Sequence, residues 1–194
     1  MKKVGLFFGS FNPIHIGHLI LANYILENSD MNEVWFVVSP QNPFKDKKTL
    51  LNDHNRLDMV ELALKNYPNI KASNVEFSLP KPSYTIDTLV YLNEKYPQYS
   101  FSLIMGEDNL KSLHKWKNAD YLIKNYHIIV YPRIPEDEAK APEYQQHENI
   151  SLIKAPIIEL SATEIRNMIK ENKNVRPMLP PEVFEYLDGS SFYK

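Results

Sequence analysis

No cysteine occurs anywhere in the 194 residues. Disulfides and thiolate metal sites are therefore excluded, and the composition fits a reducing cytoplasm. Glycine is scarce as well: there are only 5, against the roughly 7% of an average chain. Neither sign of charge dominates. Lys and Arg number 22 and Asp and Glu 24, a net charge of −2, so nothing points to wholesale binding of DNA, RNA or an acidic membrane surface. No apolar run approaches the roughly 20 residues that span a bilayer. The chain enters a strand directly after Met1-Lys2-Lys3, and its stretch Gly5 to Phe8 is too short for a signal-peptide core. What remains is ordinary globular composition, 43% hydrophobic and 24% charged. The expectation is a single cytoplasmic domain over residues 1–194, with homo-oligomerisation left open.

The few glycines are not scattered. Gly9 and Gly17 bracket the segment Gly-Ser-Phe-Asn-Pro-Ile-His-Ile-Gly, which follows an apolar run, Val4 to Phe8, long enough for a buried strand. A helical pattern begins near Gly17, so the turn ends at a helix N-terminus. Unpaired N–H groups and the positive end of the helix dipole there favour an anion. His15 and His18 lie three residues apart and share a face of the first helical turn. With no Cys in the chain and no Asp or Glu between Gly9 and Leu26, the pair reads as a phosphate site better than as a metal site.

Strand-like runs alternate with helical patterns along the rest of the chain. Strands are predicted at 3–8, 33–39, 70–72, 101–105, 127–131 and 150–153. Helices are predicted at 17–28, 53–66, 83–95, 119–125, 163–171 and 181–187. This alternation predicts an α/β fold, a Rossmann-like doubly wound parallel sheet with helices on both faces. Ligands in such sheets sit at the carboxyl ends of strands, where the Gly9 turn falls. Two irregular stretches remain, 40–52 with Lys45, Lys47 and Lys48, and 132–149, which is acidic and proline-bearing and reads as a solvated excursion.

The segment from Gly9 to His18 resembles the Gly-x-Phe-x-Pro-x-His-x-Gly-His motif of the nucleotidyltransferase superfamily. Leu160-Ser-Ala-Thr-Glu-Ile-Arg166 resembles the Ile-Ser-Ser-Thr-x-x-Arg motif of its adenylyltransferases, with Ala162 replacing a hydroxyl. Ser161 to Glu164 also has capping-box spacing, which accounts for those two residues but not for Thr163 and Arg166. Four further segments resemble those of nicotinate-nucleotide adenylyltransferases. They are Ser39-Pro-Gln-Asn-Pro-Phe-Lys45, with Phe44 where the family often has His; His54-Asn-Arg-Leu-Asp-Met59; Ser83-Tyr-Thr-Ile-Asp-Thr-Leu89; and Met105-Gly-Glu-Asp108, followed by Trp116. The matches run from residue 4 to the Arg176–Pro180 segment.

The resemblance implies adenylyl transfer from ATP to nicotinate mononucleotide. It implies His15, His18 and Lys45 at the reacting phosphates. ATP would be bound by Gly9, Ser10, Phe11, Gly17, Gly106, Asp108, Ser161, Thr163 and Arg166, the last three in a C-terminal helical part over about 161–194. Nicotinate mononucleotide would be bound by Asn42, Tyr84, Thr85 and Trp116. Mg2+ would be carried mainly by substrate phosphates, with no protein side chains expected as ligands. Locally, Ser83 or Thr85 is expected to cap the helix that follows. His54 and Arg56 read equally as structural, bracing the loop or lying on a solvated face, or as ligand contacts. Phosphopantetheine adenylyl transfer shares the first motif but not the Ser83–Leu89 segment. A nucleotide-binding regulator without activity is the reading from another class. An aminoacyl-tRNA synthetase is excluded by length and by the lack of a Lys-Met-Ser-Lys-Ser segment.

Overall fold

The computed structural model describes residues 1–41, 50–133 and 146–194. The elements in chain order are β1 (Lys2–Gly9), α1 (Ile16–Asn28), β2 (Glu33–Val38), α2 (Asp53–Leu64), β3 (Ile70–Ser73), α3 (Thr85–Lys95) and β4 (Tyr99–Gly106). They continue with α4 (Glu107–Ser112), α5 (Ala119–Asn125), β5 (His127–Tyr131), β6 (Ile150–Leu152), α6 (Ala162–Lys170) and α7 (Pro181–Asp188). Short 3-10 turns occupy Val75–Ser78, Leu113–Lys115 and Arg176–Met178. No helix among the described residues is long and apolar enough to cross a membrane.

The six strands of the described residues form one sheet in the order β3-β2-β1-β4-β5-β6, and every neighbouring pair is parallel. The strand order reverses between β1 and β4, which places a crevice at their carboxyl ends. Side chains alternate between faces as the pleat requires. Phe7, Val34, Phe36, Ile104 and Ile129 enter a core under α1, α2, α6 and α7. Val4, Leu6, Val37, Leu103, Ile128 and Val130 enter a second core under α3, α4 and α5. Burial on both faces explains why these strands read as continuous apolar runs. Gly5 lets the central strands approach, since a Cβ there would lie 2.6 Å from Ile104 Cδ1.

The doubly wound parallel fold is as expected, and element boundaries fall within two residues of the predicted ones in nearly every case. The short α4 was not anticipated; six residues are too few to carry a helical period, and only Gly106 before Glu107 and Asp108 marks its start. Helix α3 begins at Thr85 instead of Ser83. Its cap is Tyr84, in extended backbone and without a side-chain capping bond. The expected capping by Ser83 or Thr85 is therefore not what starts this helix. Instead the Tyr84 carbonyl accepts from the N–H groups of Asp87 and Thr88, at 3.0 and 3.3 Å.

Candidate active site

Strand β1 ends where its Gly9 carbonyl accepts the Ser39 N–H at 2.9 Å. The chain then turns sharply. A Cβ on Gly9 would lie 2.7 Å from the Phe11 ring, so glycine is needed for Phe11 to fold back over the strand. Phe11 itself has φ of 45°, and its buried ring packs on Phe36 and His18, each with centroids 5.1 Å away. The segment reaches α1 with His15 as the helix cap. The His15 N–H donates to His18 Nδ1 at 3.3 Å, and the two imidazoles stack with centroids 3.8 Å apart.

His15 is only 5% exposed, and its buried Nδ1 has no hydrogen-bond partner among the described residues. Gly17 leaves room for that ring, since a Cβ there would meet His15 Nδ1 at 3.0 Å and Ile158 Cγ2 at 3.1 Å. Burial, and secondarily the charge of Arg133, push the His15 imidazole down from 6.5 to about 4. The group is therefore neutral at physiological pH.

The second helix start converges on the same loop. Ser161 caps α6, its Oγ accepting the Glu164 N–H at 3.1 Å. Arg166 spans 154 residues to donate to the Asn12 carbonyl at 2.8 Å and also donates to Thr163 Oγ1 at 3.1 Å. Arg56, fully buried, donates to the carbonyls of Ser10 at 2.6 Å, Ser39 at 2.9 Å and Leu51 at 3.0 Å. Of the two readings open for Arg56, brace and ligand contact, its burial and these bonds make it the brace. His54 packs edge-on against Phe77, with centroids 5.4 Å apart.

A cavity of about 130 Å³ opens beside the loop at the carboxyl ends of β1 and β4, where Gly9, Tyr84, Thr85 and Trp116 meet. Glu76, Ser83, Asn109 and Lys117 also line it. Lys117 lies 4.7 Å over the Tyr84 ring and pairs with Asp87 at 2.8 Å. Glu76, 1% exposed, accepts from Thr88 Oγ1 at 2.8 Å. Its other oxygen and the Ser83 hydroxyl have no hydrogen-bond partner among the described residues. Burial pushes the Glu76 carboxyl up from the ordinary carboxylate value, against the hydroxyls of Thr88, Ser39 and Ser83, which favour its charged form.

The structure thus brings the first loop, Ser161, Thr163 and Arg166 to one end of the sheet, and Tyr84, Thr85 and Trp116 to a cavity beside it. Gly106 and Asp108 stand at the start of α4, where Arg133 Nε lies 3.9 Å from Asp108 Oδ1. The Phe11 ring is part of the core. Asn42 and Lys45 lie outside the described residues. Sequence reasoning missed Glu76, Lys117 and Arg133. Arg133 had a usable signal, a cation two residues beyond an apolar strand, on the same sheet end that singled out Gly9. Glu76 had none, since it sits in a single 3-10 turn without a period.

A protein-family model described as cytidylyltransferase-like matches residues 6–168. The chain is 56% identical over 192 residues to a protein of Flavobacterium psychrophilum named "Probable nicotinate-nucleotide adenylyltransferase", covering 99% of each chain. It is 46% identical over 187 residues to one of the same name from Bacteroides thetaiotaomicron, covering 95% of this chain and 90% of that one. Among solved structures, Plasmodium falciparum nicotinic acid mononucleotide adenylyltransferase complexed with NaAD superposes with a TM-score of 0.84. The identity is 20%, with 100% of this chain and 98% of that one covered, a likeness that speaks for the fold.

Proposed function

The chain belongs to the nicotinate-nucleotide adenylyltransferase family, and from that membership we propose that it transfers the adenylyl group of ATP to nicotinate mononucleotide. The products are nicotinate adenine dinucleotide and pyrophosphate, a step of NAD biosynthesis that we place in the cytoplasm. The observation that carries this reading at the site is the meeting of two helix N-termini, those of α1 and α6, on the Gly9–His15 segment, joined by Arg166 and the Asn12 carbonyl at 2.8 Å. Two anion-favouring ends at one loop suit a triphosphate under transfer.

An oxygen of the 5′-phosphate bonds to the α-phosphorus as the bond from that phosphorus to the α–β bridging oxygen breaks. The electron pair leaves with pyrophosphate, and no side-chain nucleophile is required. The residues act by alignment and by meeting charge as it develops. His18 and the neutral His15 face the α-phosphate, with Lys45. Thr163 and Arg166 hold the leaving pyrophosphate, and Ser161 orders their helix. Gly9, Ser10, Phe11 and Gly17 let backbone approach the nucleotide, while Gly106 and Asp108 receive the adenosine ribose. Trp116 stacks on the pyridine ring, and Asn42, Tyr84 and Thr85 take the rest of the mononucleotide. The start of α3 favours the ring's carboxylate over a neutral carboxamide. Mg2+ would be held mainly by substrate phosphates and water, where it would offset their charge.

Pyrophosphate release with ATP, Mg2+ and either nicotinate or nicotinamide mononucleotide tests the reading. Strong turnover of the acid and little of the amide is expected. Equal turnover would overturn the account of ring selection, and none with either would overturn the activity.

A further inference from the structure

Close to residue 194 a tyrosine reaches back across the fold to the loop between β1 and α1. The Tyr193 hydroxyl donates to Asn12 Oδ1 at 2.6 Å over a separation of 181 residues. The same oxygen accepts the Leu51 N–H at 3.2 Å, and Asn12 is 4% exposed. Tyr193 makes this reach from left-handed backbone, with φ of 64°, a conformation that non-glycine residues rarely adopt and that persists only when surroundings enforce it. Its approach is built from below. Helix α7 docks on α2, where the Tyr186 hydroxyl donates to Asp58 Oδ2 at 3.4 Å. The chain then turns through Ser190, whose Oγ accepts the Phe192 N–H at 3.1 Å.

Three side chains from distant segments therefore grip two residues of one loop, Ser10 and Asn12. Arg56 holds the Ser10 carbonyl, Arg166 the Asn12 carbonyl and Tyr193 the Asn12 side chain. The two arginines carry charge toward the phosphates or the interior. Tyr193 carries none, and a phenylalanine would fill its place equally well were packing its whole task. We propose that Tyr193 is a positioning residue for adenylyl transfer, acting through Asn12 to fix the segment that presents His15 and His18. The inference rests on the activity proposed above.

The test is Tyr193→Phe, alone and with Asn12→Ala, in steady-state kinetics, with amide exchange followed over residues 10–17. Misplacing reacting groups by a fraction of an ångström costs rate and not affinity, so kcat should fall roughly tenfold while KM for both substrates stays within about twofold. Amides of residues 10–17 should exchange faster and those of the strands unchanged. In the Asn12→Ala background the tyrosine substitution should have no further effect. A kcat within about twofold of wild type, an unaltered exchange pattern, or equal losses in the two backgrounds would overturn the proposal. Should the wild-type protein release no pyrophosphate, the activity falls, and the exchange pattern by itself decides the role of Tyr193.

Discussion

The imidazoles of His15 and His18 lie stacked, with centroids 3.8 Å apart and planes at 27°. Two imidazolium rings would repel at that distance, and burial keeps the His15 ring neutral. His15 is held down to about 4 from 6.5, first by burial and then by the charge of Arg133. Protonation therefore favours the unfolded chain, and the stabilisation is complete above about pH 6.5 and lost as pH falls toward 4. Its size is roughly 3 kcal/mol at neutral pH. Urea midpoints measured from pH 7.5 to 4.5 should drop steeply for the wild type and less for His15→Gln. Parallel curves for the two would remove His15 from the acid response.

His18→Ala should cost turnover far more than stability. The ring packs edge-on to Phe7 at 6.0 Å and to Phe11 at 5.1 Å, contacts at the rim of the core, whereas its proposed work is on charge that appears during transfer. Loss of one preorganised donor of this kind typically lowers kcat by about 10²–10³. Pyrophosphate release under saturating substrates measures it, and near wild-type turnover would take His18 away from the reacting centre.

Much of this arrangement is legible in the amino-acid sequence. Helical and strand periods are local, so the six strands and most helices could be read off the chain, and the switch point followed from their alternation. The two motifs proposed to bind phosphate are also local, because glycine, histidine and helix-cap chemistry all act within one turn. The contacts that join them are not local. Nothing near Arg166 says that it will meet the Asn12 carbonyl, and nothing near Tyr193 says that it will meet the Asn12 side chain. Arg56 reads from the sequence equally as a structural residue or a ligand contact, and only its bonds to three carbonyls make it the brace. Pairing over such separations is decided by packing, which leaves no periodic trace.

Arg56 accordingly predicts a stability effect. Arg56→Met fills comparable space but abandons the carbonyls of Ser10, Ser39 and Leu51 in a buried setting. Each unsatisfied buried group costs about 1–3 kcal/mol, so roughly 3 kcal/mol or more should be lost. Arg56→Lys should recover only part, because a single ammonium does not reproduce the planar fork. Chemical denaturation would read both variants, and full stability in the lysine variant would contradict the geometric argument.

Trp116 is half-buried at the edge of its core and lines the cavity with Tyr84 and Thr85. Trp116→Ala should therefore raise KM for nicotinate mononucleotide and spare KM for ATP. An aromatic stack is worth about 0.5–1.5 kcal/mol beyond area burial, which sets the rise near tenfold. Equal rises for the two substrates would mean that the substitution disturbs the fold and not the ring site.

Glu76 offers the opposite pH sign to His15. Its carboxyl sits on the same cavity, held above the ordinary carboxylate value by burial that outweighs the bond from Thr88. The other ionisable groups lining that cavity are Tyr84, Lys117 and Tyr131, and Lys117 is already paired with Asp87 at 2.8 Å. Glu33, on β2, is bound to Lys2 and Lys71 at the strand's far end. Among the described residues lining the cavity, the one cation is thus already engaged, and burial favours the protonated form. A raised carboxyl stabilises the fold fully below its unfolded value and loses that contribution as pH rises through the folded one. Glu76→Gln keeps the shape and a donor while removing the titration. The variant should match the wild type near pH 4 and exceed it at pH 8 in urea midpoint. A variant less stable than the wild type at pH 8 would show that the carboxylate form is the one this site holds.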